Sequence, residues 1–98
     1  MDEIFEEIKA ERARQDQFWG EKFDAKNTAN DWVAYIVRYV STAAYDGRER
    51  KFTNVYFRSQ MIKAAALCIA AIEALDKNEL APRHYDVVEP DPDNGGVR

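Results

Sequence analysis

Six basic side chains crowd the middle of this chain. Arg38, Arg48, Arg50, Lys51, Arg58 and Lys63 fall within residues 38–63 against only Asp46 and Glu49, while the chain as a whole carries a net charge of −4. A basic stretch inside an acidic protein suits a local pocket for something small and anionic; nucleic acid would ask for a broad basic face. Trp32, Tyr35 and Tyr39 recur at steps of three and four residues, and Thr42 continues the row. On a helix these side chains share one side, where the rings could stack on a base. Cationic groups in a partly desolvated cleft would bind phosphate through charge-assisted hydrogen bonds. The plainer alternative is that the cations are solvated and the rings cover a helix interface.

Other chemistry has little to stand on. Cys68 is the only cysteine, so no internal disulfide can form and a reducing cytoplasm is the expected setting. Its Ala/Ile-rich surroundings read as those of a small buried hydrophobe, not a nucleophile. His84, beside Pro82 and Arg83, has no Cys or Asp at ligand spacing and reads as a surface residue. The four glycines are scattered or in the tail, so there is no Gly-rich phosphate loop. No catalytic residue, cofactor or metal is implied.

Helices must position these residues. The chain of 98 residues is enough for one domain, expected over residues 1–85, with an acidic, Pro- and Gly-containing tail at 86–98 expected to be disordered. Residues 2–18 form the first helix candidate, with Ile4, Phe5, Ile8 and Phe18 able to face a core. Gly20 ends it, and Thr28, Asn30 or Asp31 can cap a second helix from about Asp31 to Tyr45. That helix carries Val33, Ile36, Val37, Val40 and Ala44 as one stripe and the aromatic row as another beside it. Gly47 breaks it. Thr53 or Asn54 caps a third helix, expected to reach Asn78 and to be central because it is apolar on nearly all sides. Its alanines permit close approach of a neighbour, within the chain or across a dimer seam. Residues 81–85 can fold back through Tyr85. The apolar run 64–72 is closed by Lys63 and Glu73, far short of the roughly 20 residues of a membrane span. The acidic N-terminus lacks the basic start and apolar core of a secretory signal. The expected fold is all-α: a three-helix unit made of a long helical hairpin plus an N-terminal helix, completed as a dimeric bundle.

Three pieces carry a family resemblance. Glu11-Arg-Ala-Arg-Gln-Asp-Gln-Phe-Trp-Gly20 resembles the N-terminal signature of small phage and bacterial MazG-like proteins, which are all-α nucleoside triphosphate pyrophosphohydrolases. The helix opening at Trp32, and Phe57-Arg58 leading into the helix that ends Ile72-Glu-Ala-Leu-Asp76, extend the likeness over about residues 7–78. In that family an E-E-x-x-E motif on one helix and an E-x-x-D motif on the next hold Mg²⁺ against the phosphates. Here the first motif falls on Arg38, Tyr39 and Thr42 and the second on Gln60 and Lys63, so every expected acid is replaced. Glu73 and Asp76 keep an i, i+3 spacing, but about 20 Å further along the helix. The resemblance also places the segment of Arg12, Arg14 and Trp19 near the nucleotide cleft, where Trp19 would touch a base or plug the end of the first helix.

These residues lead to three expectations. The first is a non-catalytic, phage-type accessory protein that holds a nucleotide or phosphorylated small molecule, in one version by sequestering a nucleotide signal of host defence, and works as a homodimer or higher assembly. Its ligand-binding residues would be Arg38, Lys63, Tyr35, Tyr39, Trp32, Arg58, Gln60 and Trp19. The second is a protein–protein interaction module binding a helix of a host or phage partner. The third is a residual metal-dependent hydrolase using Glu73 and Asp76 with Asp31 or Asp46. Neither a membrane nor nucleic acid is an expected partner.

Overall fold

A computed structural model describes residues 1–18 and 26–78. Trp19, the expected fold-back at 81–85 and the expected tail at 86–98 lie outside the described residues. The order is α1 (Asp2–Phe18), α2 (Ala29–Ser41) and α3 (Asn54–Asn78). There is no β-strand among the described residues; a lone bridge joins Asp46 to Lys51. The chain is an all-α three-helix unit.

α2 and α3 start where side chains satisfy free amides, and α1 starts with acidic residues. Asp2 and Glu3 place negative charge in the first turn of α1, where the helix dipole favours it. Thr28 and Asp31 form a reciprocal cap on α2: Thr28 Oγ1 accepts from the Asp31 amide at 3.1 Å, and Asp31 Oδ2 accepts from the Thr28 amide at 2.9 Å. At α3, Thr53 Oγ1 accepts from the Tyr56 amide at 3.2 Å. α2 ends at Ser41, short of the expected Tyr45. The Ser41 and Thr42 hydroxyls donate back to the Arg38 carbonyl at 3.4 and 3.3 Å, the kind of local bond that competes with helix continuation. The chain then turns tightly through Asp46–Lys51. Asp46 Oδ1 accepts from the amides of Arg48 and Glu49 at 2.9 and 3.3 Å, and Arg50 adopts a left-handed φ of 59°.

α3 is the spine. The backbones of α1 and α2 each approach it, while no Cα of α1 comes within 8 Å of one in α2. α2 runs antiparallel to α3: Thr42 meets Tyr56, Tyr39 meets Gln60, and Trp32 packs with Leu67, Ala70 and Ala74 further along. Those alanines leave a shallow trough that the large rings fill, with Tyr35, Ile36, Tyr39 and Ala71 packed around. The aromatic row therefore faces the core. The valine row of the same helix does not: Val33, Val37 and Val40 are 57, 48 and 41 % exposed.

Two expectations need correcting. Cys68 is exposed, not buried, because its side of α3 is turned away from both neighbours. α1 does not bring an apolar stripe to the core: Ile4, Phe5 and Phe18 are exposed, Ile8 is half-buried, and its one buried residue is Gln15. Polar contacts hold α1 instead. Arg12 Nε reaches Glu73 Oε1 at 3.1 Å, and Gln15 Nε2 donates to the Lys63 carbonyl at 3.5 Å. Although α3 from Asn54 to Lys77 is long and apolar enough to cross a membrane by length and composition, core helices of soluble proteins meet the same criterion.

Candidate functional site

A cavity of about 310 Å³ opens between α1 and α3, near the lower end of small-molecule pockets. Glu7 and Glu11 line it from α1; Val55, Arg58, Ser59, Ile62 and Lys63 line it from α3. Its charges are largely paired. Arg58 grips Glu7 with both terminal nitrogens at 2.6 Å, and this hydrogen bonding holds the Glu7 carboxyl below its ordinary value of 4.5. Glu11 takes two hydrogen bonds from Arg14, at 3.0 and 2.6 Å, and one from Gln15 Nε2 at 3.3 Å. The bond to Arg14 lowers its pKa most, against the opposing cost of burial, and the positive charge of Lys63 adds to the lowering. Lys63 itself stands over the Tyr39 ring, Nζ 5.8 Å from the centroid. An anion entering here meets Lys63 directly, whereas two of the five N–H donors of Arg58 are already given to Glu7.

The expected ligand residues are divided by the fold. Arg58 and Lys63 share the cavity, and Tyr39 borders Lys63 from α2. Arg38 is exposed on α2 and does not line this cavity; its guanidinium has no hydrogen-bond or ion-pair partner among the described residues. Trp32 is 3 % exposed and belongs to the core, so its ring offers no face to a base. Tyr35 meets Trp32 edge-on, with centroids 6.3 Å apart, and its hydroxyl donates to Asn27 Oδ1 at 3.5 Å. Gln60 is buried and donates to the Tyr39 carbonyl at 3.5 Å, a tie between helices. Glu7, Glu11 and Ser59 were not anticipated. The i, i+4 spacing of Glu7 and Glu11 on one helix was the available signal for the two acids.

A second feature is apolar. Met61, Ala65, Cys68, Ile72 and Leu75 follow each other along the side of α3 that neither α1 nor α2 covers, with Cys68, Ile72 and Leu75 exposed. Phe57 and Ile69 flank this line, each 40 % exposed. Contiguous apolar surface of this kind marks interaction sites more often than it is left in water.

Comparison with known protein families, with curated proteins and with solved structures finds no match. Function therefore rests on the chain's own geometry. No group of three or more His, Cys, Asp or Glu side chains that could hold a metal ion occurs among the described residues.

Proposed function

We propose that this chain is a helical interaction module that works by burying the outer face of the α2–α3 hairpin against an apolar helical face of a protein. The observation that carries this reading is the exposure of a periodic apolar line on α3 together with the valine row of α2. Burial of such surface contributes about 25 cal/mol per Å², and a helix laid against it reads anchors at three- and four-residue steps. Cys68 lies in the middle of the face and reports its state. In cells producing the protein, a maleimide should label Cys68 several-fold more slowly in the wild type than in a Val37→Glu/Ile72→Glu variant. Equal labelling rates would overturn the reading.

A second reading is favoured by one specific observation, the cavity that presents Lys63 and Arg58 beside the Tyr39 ring. There the chain would hold a phosphorylated small molecule, as the MazG-like resemblance suggests, with the anion captured by cations in place of a metal. Calorimetric titration with mono-, di- and cyclic nucleotides tests it. Binding should weaken at least about tenfold in Lys63→Ala, and absence of heat with every nucleotide would remove it.

A further inference from the structure

The apolar line on α3 has the spacing of a helix-pairing seam. From Met61 through Ala65, Cys68 and Ile72 to Leu75 the steps are four, three, four and three residues, which keeps one side of a helix against a partner for about four turns. The valines of α2 extend the same surface. Tyr39 leans on Lys63, which lies on the α1 flank of α3; Val33, Val37 and Val40 occupy the opposite flank of α2 and so open on the side away from α1, beside the seam. Two helices thus contribute to one uncovered face.

Charge at the margins of this face selects the occupant. Arg58 and Asp76 are eighteen residues apart, or about five full turns, so they stand on the same flank of the seam at opposite ends. The midpoint between them is residue 67, next to Cys68. A second copy turned end for end about that midpoint brings its Asp76 to this Arg58 and its Arg58 to this Asp76. Glu7 occupies the two terminal nitrogens of Arg58, leaving the Nε edge for the new carboxylate. The same turn sets Met61 near Leu75 of the second copy and the small Ala65 near its larger Ile69 and Ile72. In a parallel two-fold pair the flank that carries Arg58 and Asp76 falls on opposite sides of the seam in the two copies, so neither ion pair forms.

We propose that two copies of this chain associate through the α2–α3 hairpins as a two-fold symmetric dimer, with α3 antiparallel to its mate and the axis passing beside Cys68. This rests on the interaction reading above and names the partner. It makes the interface isologous, each residue of the pair used twice, and closes the assembly at two copies.

Two measurements on the full chain test the proposal. In sedimentation equilibrium at micromolar concentration the wild type should be a dimer. The Val37→Glu/Ile72→Glu variant, checked by circular dichroism for retained helix, should dissociate at least about tenfold more readily. In a Cys68→Ser background, Met61→Cys and Leu75→Cys chains should cross-link to each other when mixed and oxidised, faster than either cross-links to itself. Faster Met61→Cys self-coupling would overturn the antiparallel register. A monomeric wild type, or one that remains monomeric and co-sediments with phosphatidylglycerol vesicles, would overturn self-association. The interaction reading then stands or falls separately on whether Cys68 is shielded in the cell.

Discussion

Replacing Trp32 separates a core ring from a ligand platform. Trp32 is 3 % exposed and packs against Leu67, Ala70 and Ala74. An aromatic side chain buries about 150–250 Å², and at about 25 cal/mol per Å² its withdrawal from water contributes roughly 4–6 kcal/mol. The alanine trough can close only part of the space left, so Trp32→Ala should lose about 3–5 kcal/mol. That is a large share of the roughly 5–15 kcal/mol expected for a whole domain. Trp32→Phe is the informative control. The indole Nε1 is buried without a hydrogen-bond partner among the described residues, and an unsatisfied buried donor costs about 1–3 kcal/mol. Removing it offsets much of the lost ring volume, so the phenylalanine variant should lie within about 2 kcal/mol of wild type. Urea unfolding followed by circular dichroism at several protein concentrations gives both values. A loss under about 1 kcal/mol in Trp32→Ala, or equal losses in the two variants, would refute the argument.

Other perturbations probe single features of the fold. Thr28→Ala removes one half of the reciprocal cap on α2 and should cost about 1 kcal/mol, read as a lower urea midpoint at unchanged slope. Arg50→Gly relieves a left-handed residue worth about 1–2 kcal/mol of strain; less the extra freedom glycine gives the unfolded chain, the thermal midpoint should rise slightly. The Glu11 carboxyl is held below its ordinary value of 4.5 by Arg14, so its contribution is present above that value and disappears as pH falls through the lower folded value. Between pH 6 and pH 3 the wild type should therefore lose more stability than Glu11→Gln, and superimposable acid profiles would count against the assigned bond.

Much of this architecture was legible in the residues. The first helix was expected over 2–18 and the third as a central, Ala-rich element reaching Asn78, because uninterrupted helix formers and a cap at Thr53 or Asn54 leave few alternatives; Thr53 is the one that caps. The short end of α2 was not, since Ser41 and Thr42 have ordinary helical periodicity and only their back-bonding to Arg38 reveals the stop. The two stripes of α2 posed a harder question. Both are apolar at helical spacing, and which one faces inward depends on α3, whose alanines receive broad rings better than branched valines. That choice also decides the site: it draws Trp32 out of the ligand set, gives Tyr35 a structural partner and leaves Lys63 beside Tyr39. The pairing of Arg58 with Glu7 joins residues fifty-one positions apart and had no local signature.

The backbones of α1 and α2 approach α3 separately and not each other, so the two attachments rest on different contacts. The hairpin is closed by a short connector and held by the Trp32 cluster, and at its closed end it joins residues nearer in sequence than α1 does, Thr42 to Tyr56 being fourteen positions apart and Glu7 to Arg58 fifty-one. α1 is held on α3 through carboxylates, guanidinium groups and the buried Gln15 amide, while its larger apolar side chains Ile4, Phe5 and Phe18 stay exposed. Its attachment is consequently the ionic-strength-sensitive joint of the fold. In raised salt the chain should fray from its N-terminal helix first, while the hairpin and its outward face remain intact.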